Sequence, residues 1–359
     1  MRNRRRIGAA VVLTVAIFFA TTAGAQQIQG KDCFFLESLH YSAAGMEYWY
    51  SAANGGLERL TGIPYDQLTC KNCHTPGCDR CHKVESTEKD CTVYEYTVGA
   101  ATNQAMCLKC HGRERAMMRI DHKAGQEDVH VQMGMECSDC HSAREMHGDG
   151  TPYISLKQEG AMDTRCENCH DELKPVEAHV VHEDHLDCKA CHLRHVVSCT
   201  NCHFDTLLKE GVRKARPVAG WVFLMNLRGK VTAASMQTFV VGEDKTFLMF
   251  APHMSHSVMN PGRGCDDCHD SENVHQVQKG NLKLTWLEDG ELHNRKGVIP
   301  VVDGVDYQCS YEHFADDKWT PVKNPRKPLL QYVAFGEPLT AKQLDQMAAK
   351  QSPPPPKME

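Results

Sequence analysis

The stretch Cys188-Lys-Ala-Cys-His-Leu-Arg-His-Val-Val-Ser-Cys-Thr-Asn-Cys-His203 contains the pattern Cys-x-x-Cys-His twice, with six residues between the copies. The pattern occurs eight times in the chain of 359 residues and uses sixteen of the nineteen cysteines. The other copies, in chain order, are Cys70-Cys73-His74, Cys78-Cys81-His82, Cys107-Cys110-His111, Cys137-Cys140-His141, Cys166-Cys169-His170 and Cys265-Cys268-His269. This repetition, more than any hydrophobic periodicity, determines the architecture that we expect.

The order of residues within the motif indicates its chemistry. Two thiols three positions apart can add to the two vinyl groups on one edge of a haem, and the next residue then supplies an imidazole nitrogen to the iron. Cys-x-x-Cys sites for zinc or disulfide exchange do not need that histidine, whereas all eight copies have it. The sequence therefore predicts eight covalently bound c-type haems on the sixteen cysteines Cys70, Cys73, Cys78, Cys81, Cys107, Cys110, Cys137, Cys140, Cys166, Cys169, Cys188, Cys191, Cys199, Cys202, Cys265 and Cys268. The predicted proximal iron ligands are His74, His82, His111, His141, His170, His192, His203 and His269.

Eight haems are many for a chain of this length, and this ratio guides the predicted fold. So few residues cannot build a separate hydrophobic core for each cofactor, so we expect the porphyrins to form the core. The predicted fold class is a multihaem cytochrome c made mainly of short helices and loops wrapped on a haem chain, with a small β-rich C-terminal module. The predicted division is a signal peptide in residues 1–25, a seven-haem domain in 26–216, a β-rich module with the eighth haem in 217–322, and a partly disordered tail in 323–359.

Local patterns predict several elements outside the motifs. Residues 33–60 are predicted to be helical. The apolar segments 237–241 and 246–250 flank Gly242-Glu-Asp244, which is typical of a hairpin. A short helix is expected over 340–350.

The distal iron ligands are harder to identify, because thirteen histidines lie outside the motifs. Our candidates are those near a motif or in an aromatic helical segment, and methionine ligation is disfavoured because histidine is so abundant. We hold His179 and His253 in reserve, and interpret His293 and His313 as ordinary surface residues. We expect low-spin bis-histidine haems at most sites. The eight candidates are His40, His122, His130, His147, His182, His185, His195 and His256.

The N-terminus has the features of an export signal. Arginines at positions 2 and 4–6 precede the apolar run 7–20, and Ala23-Gly-Ala25 fits a signal-peptidase site, so we expect cleavage after Ala25. The apolar run is short for a bilayer span, and we expect no membrane span in the mature chain. The net charge of −6 offers no basic surface for nucleic acid. Outside the motifs, Cys33, Cys91 and Cys309 remain, and an oxidising compartment would allow any two of them to pair.

The motif-rich region resembles the multihaem cytochromes c that metal-reducing and related anaerobic bacteria export. The segments that carry the resemblance are Leu68-Thr-Cys-Lys-Asn-Cys-His74, Gly134-Met-Glu-Cys-Ser-Asp-Cys-His141 and Glu145-Met-His-Gly-Asp-Gly150. The resemblance implies electron transport in the periplasm or at the cell surface, with redox proteins or extracellular acceptors as partners. It also implies that the chain could polymerise into an extracellular filament.

The alternative function is an octahaem oxidoreductase that acts on a small nitrogen or sulfur compound. Such an enzyme needs one five-coordinate haem with an open face. No Cys-x-x-Cys-Lys motif is present, and nothing around Lys123, Lys157 or Lys189 marks any of them as a replacement ligand. We therefore favour a carrier over an enzyme, and the distal histidines decide between the two.

Overall fold

The computed structural model of the chain describes residues 34–68, 74–88 and 91–350, apart from the side chains of Glu88 and Cys91. The predicted signal peptide lies outside these residues, as do Cys33, Cys70 and Cys73. Cys309 is a free cysteine in the structure, so of the three cysteines outside the motifs only a pairing of Cys33 with Cys91 stays untested.

The helices are short throughout the described residues. They are α1 Leu39–Ser42, α2 Ala44–Tyr50, α3 Glu58–Thr61, α4 Asp79–His82, α5 Val98–Thr102, α6 Gln104–Cys107, α7 Gly112–Ala124, α8 Val129–Gln132, α9 Cys137–Cys140, α10 Ala143–His147, α11 Glu177–His182, α12 Cys188–His192, α13 Phe204–Glu210, α14 Glu272–Gln278 and α15 Ala341–Ala348. The longest, α7, ends at Gly125, whose φ of 65° suits glycine at a helix C-terminus. Hydroxyl side chains begin others: Thr97 caps α5 and Ser142 caps α10.

Strands occupy much of the second half of the chain. They are β1 Lys83–Glu88, β2 Cys91–Tyr96, β3 Val196–His203, β4 Lys214–Leu227, β5 Lys230–Val241, β6 Lys245–Pro252, β7 Asn281–Lys283, β8 Thr285–Glu288, β9 Glu291–Asn294, β10 Gly297–Pro300, β11 Asp306–Gln308, β12 Glu312–Ala315, β13 Lys318–Pro321 and β14 Leu329–Tyr332. Six of them form one mixed sheet in the order β10-β4-β3-β5-β6-β14. The others form two-stranded ladders: β1 with β2, β7 with β11, β8 with β9, and β12 with β13.

The six-stranded sheet is buried on both faces. Along β4, Trp221, Phe223 and Met225 point to one face and pack in a cluster with Phe250, because alternate strand residues share a face. Val222 and the residues that alternate with it pack in a second cluster on the other face. Each fully buried side chain of this size stabilises the fold by about 1.5–3 kcal/mol. The sheet therefore supplies a hydrophobic core made of protein side chains.

The predicted fold class is wrong. Strands extend from Lys83 to Tyr332 within the described residues, and six of them form a central sheet, so the β-structure is neither small nor confined to a C-terminal module. The seventh motif itself lies in β3, between β4 and β5. The physical reason is that apolar segments such as 221–225 bury each other across the sheet, so protein side chains form a core without any cofactor.

None of the helices in the described parts of residues 34–350 has both the length and the apolar character that crossing a membrane requires. The helical region contacts the sheet through polar groups. Arg113 of α7 donates to the Ser235 hydroxyl in β5 at 3.3 Å. The backbone N–H of Val129 donates to the carbonyl of Val258, in the segment that follows β6, at 3.1 Å.

Candidate haem-binding centres

We number the centres 1 to 8 by the order of their motifs along the chain. In centres 2, 3, 4, 5 and 8, the backbone N–H of the motif histidine donates to the carbonyl of the first cysteine at 2.8–3.1 Å. In centre 6 the whole motif forms helix α12. Side chains at i and i+3 share a helix face, so one helical turn points both thiols the same way. This arrangement fits two thioether bonds to one porphyrin edge.

Motif histidines lie opposite histidines from other parts of the chain. In seven cases the two imidazole rings have centres 5.7–6.2 Å apart, and each case joins one motif histidine to one histidine outside the motifs. The pairs are His82–His147 in centre 2, His40–His111 in centre 3, His141–His256 in centre 4, His130–His170 in centre 5, His179–His192 in centre 6, His203–His313 in centre 7 and His182–His269 in centre 8.

The spacing of these rings fits a single iron between them. An imidazole nitrogen binds a transition metal at about 2 Å and the ring centre lies about 1.15 Å behind it, so two axial rings have centres about 6.3 Å apart. The pairs of centres 2, 3, 4, 5, 6 and 8 have centres 6.0–6.2 Å apart. We call these six the uniform pairs. Their residues fit a haem iron held by two histidines.

The second ring nitrogen supports the same assignment. In eight of the twelve histidines of the uniform pairs, Nδ1 lies 2.7–3.2 Å from a backbone carbonyl or a carboxylate. These oxygens can only accept, so Nδ1 carries the proton and Nε2 keeps its lone pair. Metal-binding histidines are typically held in this tautomer by such an outer partner.

Centre 4 differs from the other uniform centres because both of its imidazoles have a carboxylate partner, whereas in centre 5 only His130 has one, Asp128 at 3.2 Å. His141 Nδ1 lies 2.7 Å from a Glu145 carboxylate oxygen, and His256 Nδ1 lies 2.7 Å from Glu114. Glu145 is buried and also accepts from the backbone N–H groups of Asp163 and Thr164 at 2.6 Å. Burial alone would raise the pKa of Glu145, but hydrogen bonds from His141 and Thr164 outweigh it and hold the pKa below its usual range. Both rings of this centre therefore face a fixed carboxylate.

Centre 7 departs from the uniform pairs. The rings of His203 and His313 have centres 5.7 Å apart and lie nearly perpendicular, at 84°. His313 uses Nε2, not Nδ1, for its outer hydrogen bond, which it donates to the Glu243 carbonyl at 2.7 Å. The nitrogen that would face an iron in the uniform pairs is therefore protonated here and directed at the protein backbone.

Centre 1 is described only in part, because Cys70 and Cys73 lie outside the described residues. The Tyr65 hydroxyl lies 3.4 Å from His74 Nε2, and the two rings stack with centres 6.4 Å apart. The next residue, Thr75, donates from its backbone N–H to the carbonyl of His40 at 2.9 Å. Centre 1 therefore adjoins the segment that supplies the second histidine of centre 3.

The structure brings five of the eight distal candidates together with a motif histidine: His40, His130, His147, His182 and His256. The other three lie elsewhere. His122 is 77% exposed and lies 2.7 Å from Glu127, and His185 is exposed. His195 is buried, with Nε2 at 2.7 Å from Asp121. His122, His185 and His195 therefore leave the set of candidate second ligands.

Two paired histidines, His179 and His313, were not among the eight candidates. His179, His182 and His185 are equally spaced along the chain, so no local signal separates them. Helix α11 ends at His182, which places His179 and His182 on one turn and leaves His185 outside it. His313 lies in β12, far along the chain from centre 7, and its sequence neighbourhood holds no motif. Only the tertiary fold identifies these two.

Centres 2, 3 and 4 lie next to one another. Burial raises the pKa of the Cys81 thiol in centre 2, and the thiols of Cys107 and Cys110 in centre 3 raise it further, which requires them to be close. The Cys137 Sγ of centre 4 lies 3.8 Å from Oε1 of Gln104, in the helix that contains Cys107. The three motifs are therefore neighbours in the order of the chain.

The contacts continue through centres 5 and 6. The Thr164 hydroxyl, just before the fifth motif, donates to the Cys140 carbonyl of centre 4 at 2.9 Å. The Cys188 Sγ of centre 6 lies 3.9 Å from a carboxylate oxygen of Glu167, which lies within the fifth motif. Centre 5 is therefore in contact with the centres on both sides of it.

Centre 6 then contacts centre 8, not centre 7. The backbone N–H of Arg263, two residues before the eighth motif, donates to the Cys191 carbonyl at 3.1 Å. Burial raises the pKa of Cys268 to about 12, and the adjacent Cys191 thiol contributes. The motifs thus form a contact series in the order 2-3-4-5-6-8.

No family model matches the chain, and no curated protein or solved structure matches it either. Within the described residues, no group of three or more His, Cys, Asp and Glu side chains is arranged to hold a metal ion by itself. The repeated motifs and the paired histidines are therefore the observations on which a function can be based.

Proposed function

We propose that this chain is an electron carrier of the multihaem cytochrome c class that holds eight covalently bound c-type haems. The observation that carries the proposal is the set of uniform pairs, in which a motif histidine faces a second histidine at 6.0–6.2 Å. The motif predicts a haem at each position without using these second histidines. Two independent features, one in the sequence and one in the fold, therefore support the same cofactor.

The residues divide the work in a simple way. A haem supplies reversible one-electron chemistry at its iron. The motif thiols would anchor it, and in each of the six uniform centres two histidines would hold the iron. An iron held by two histidines would have no open position for a substrate, so these centres suit electron transfer and not substrate binding.

The contact series 2-3-4-5-6-8 supports transfer along the molecule. From centre 3 onward, each motif is joined to the next in the series by a contact of its own residues or of residues one to three positions away, for example Thr164 with Cys140 at 2.9 Å. Cofactors attached to such motifs are close neighbours, and close neighbours exchange electrons rapidly. Centres 2 and 8 end this series and are the positions at which we propose electrons enter and leave.

We further propose that the chain is exported and acts in the periplasm or at the cell surface. The predicted signal peptide in residues 1–25 supports export. The partners would be redox proteins or extracellular electron acceptors, and the chain could assemble with copies of itself into a filament. These proposals rest on the N-terminal sequence and on the resemblance to exported multihaem cytochromes.

Intact mass spectrometry of the purified protein tests the cofactor content. We expect the processed chain plus eight haems, and absorption spectra of reversibly reducible c-type haem. A matched variant, Cys166→Ala with Cys169→Ala, should lose the mass of one haem. A wild-type mass equal to the bare chain, or seven or fewer haems, would contradict the proposal.

The alternative function, an octahaem oxidoreductase, is favoured by one observation only. His313 of centre 7 directs Nε2 at the Glu243 carbonyl, which leaves that centre without the arrangement of the uniform pairs. Carbon monoxide binding to the reduced holoprotein separates the two functions, because an oxidoreductase needs one haem with an open face and an electron carrier does not.

A further inference from the structure

The segment that supplies second histidines to centres 6 and 8 lies on the surface of the protein. Residues 171–185 contain α11, whose His179 faces His192 and whose His182 faces His269. These two histidines of the segment are partly buried, and its other thirteen residues are exposed. The segment therefore meets two centres with its imidazoles and presents its remaining side chains to solvent.

Several of the exposed side chains are apolar. Four of them have 47–61% of their surface exposed: Leu173, Val176, Val180 and Val181. Successive residues of a helix point about 100° apart, so Val180 and Val181 lie on the side of α11 away from the face that His179 and His182 share. Haems held by these histidines would leave the two valines uncovered. Exposed apolar surface among charged residues is typical of a protein contact site.

The same segment is acidic. It contains five carboxylates and one lysine, which give a formal charge of −4. Asp184 pairs with Lys230 at 3.5 Å. The other four carboxylates have no ion pair with a lysine or arginine of the described residues: Asp171, Glu172, Glu177 and Glu183. Their charges are therefore free to attract a basic molecule.

The eighth motif adds negative charge beside the segment. Asp266 and Asp267 lie between its two cysteines and are exposed. Its His269 faces His182, which places the motif against α11. Centre 8 ends the contact series, so the exposed valines and the carboxylates lie at a position where an electron would leave or enter the chain.

We propose that residues 171–185, which we call the α11 surface, bind a small basic redox protein that exchanges electrons with centre 8. The inference rests on the proposed function, since it requires a haem at centre 8. A partner with lysines or arginines around an apolar patch matches both the carboxylates and the valines, and opposite charges speed association. A second copy of this chain matches less well, because each copy has a formal charge of −6. In each exchange one electron passes between a reduced and an oxidised cofactor, and no bond forms or breaks.

Stopped-flow kinetics with the fully reduced holoprotein tests the proposal. The probe is oxidised mitochondrial-type cytochrome c, a small basic protein with one haem. We expect the second-order rate constant for its reduction to fall about tenfold or more between about 0.01 M and about 1 M salt, because salt screens opposite charges. The same cytochrome with succinylated lysines keeps its haem and reverses its charge. At low salt it should react about tenfold more slowly.

Two double variants locate the contact. Glu172→Gln with Glu177→Gln should lower the rate constant at low salt about threefold or more and weaken its dependence on salt. Val180→Ser with Val181→Ser should lower it about threefold, because the apolar contact is lost. Both variants keep His179 and His182, so intact mass should still give eight haems.

Matched controls change the same residue types elsewhere. Glu288→Gln with Glu291→Gln removes exposed carboxylates around the turn between β8 and β9. Val84→Ser with Val98→Ser removes exposed apolar side chains near centre 2, at the other end of the contact series. Both controls should react at the wild-type rate.

Wild-type rates in either variant of the α11 surface would overturn the proposal. A slower reaction in Val84→Ser with Val98→Ser instead would place the contact at centre 2, with the same consequence. Sedimentation of the holoprotein alone should show no self-association that Val180→Ser with Val181→Ser abolishes, because such a result would assign the α11 surface to a second copy. A failed docking proposal leaves eight haems by intact mass, whereas a failed proposed function leaves a chain that reduces no probe.

Discussion

At the scale of single residues, the partner of each outer imidazole nitrogen distinguishes the centres. Most of these partners are backbone carbonyls, such as that of Met259 for His192 at 3.2 Å. Centre 4 instead has two carboxylates, Glu114 and Glu145, each at 2.7 Å. A carboxylate draws the Nδ1 proton more strongly than a carbonyl and makes the imidazole a better electron donor. Better donors stabilise ferric iron, so centre 4 should have the lowest reduction potential in the series.

Glu114→Gln tests this ordering. We expect the reduction potential of one haem to rise, on the order of tens of millivolts, because the neutral amide polarises His256 less. Spectroelectrochemical titration of the wild type and the variant measures the change. Glu136→Gln is the matched control, since Glu136 is exposed beside the same motif and contacts neither ring of centre 4. An equal shift in both variants would attribute the effect to net charge and not to the hydrogen bond.

At the scale of elements, a buried polar contact fixes α7 against the segment between α12 and β3. Asp121 of α7 is 1% exposed and accepts from His195 Nε2 at 2.7 Å and from Arg194 Nη1 at 3.4 Å. A buried carboxylate that loses a donor keeps its desolvation cost without the compensating bond. His195 therefore has a structural role in this geometry, although its place beside the sixth motif first suggested a ligand.

His195→Ala should lower the free energy of unfolding by about 1–3 kcal/mol, because Asp121 loses a buried partner. It should not create a carbon monoxide-binding haem. His122→Ala is the matched control, since its ring is 77% exposed, and it should change stability by less than about 0.5 kcal/mol. Denaturant unfolding followed by circular dichroism measures both. A new high-spin haem in His195→Ala would show that His195 binds iron after all.

Elements with strong local signals were predictable from the sequence. The hairpin around Gly242-Glu-Asp244 is confirmed by the antiparallel pairing of β5 with β6, and the C-terminal helix by α15. Strand β3 was not predicted, because short helices and loops were expected around all the motifs of residues 26–216, although Val196-Val197 favours a strand. A motif that fixes chemistry does not fix backbone conformation when neighbouring strands can bury the segment.

At the scale of the whole molecule, electron transfer along the contact series 2-3-4-5-6-8 must pass through centre 5, which lies in its middle. Removing the haem of centre 5, by Cys166→Ala with Cys169→Ala, should lower the current through a protein monolayer at least about tenfold, because a gap replaces two short steps. Removing centre 7, by Cys199→Ala with Cys202→Ala, is the control that keeps the series intact. Equal losses in both variants would exclude the series as the main path.

The candidate site was predictable only where its residues are neighbours in sequence. Each motif lies within five residues, so the cysteines and proximal histidines can be read directly. The second histidines depend on the fold: His40 meets His111, and His313 meets His203, across long stretches of chain. Sequence proximity to a motif pointed to His195, which the structure places against Asp121 instead. Spatial pairing of this kind needs tertiary structure.

The position of the seventh motif also constrains how the protein can be made. Cys202 and His203 are buried in β3, and β3 is flanked by β4 and β5. An attachment enzyme needs both thiols of this motif within reach, which is possible only before the sheet closes around them. Under the proposed function, the seventh haem would therefore be attached to a still-open chain, before the sheet assembles around it. A sheet that closed first would leave the buried Cys202 thiol out of the reach of the attachment enzyme.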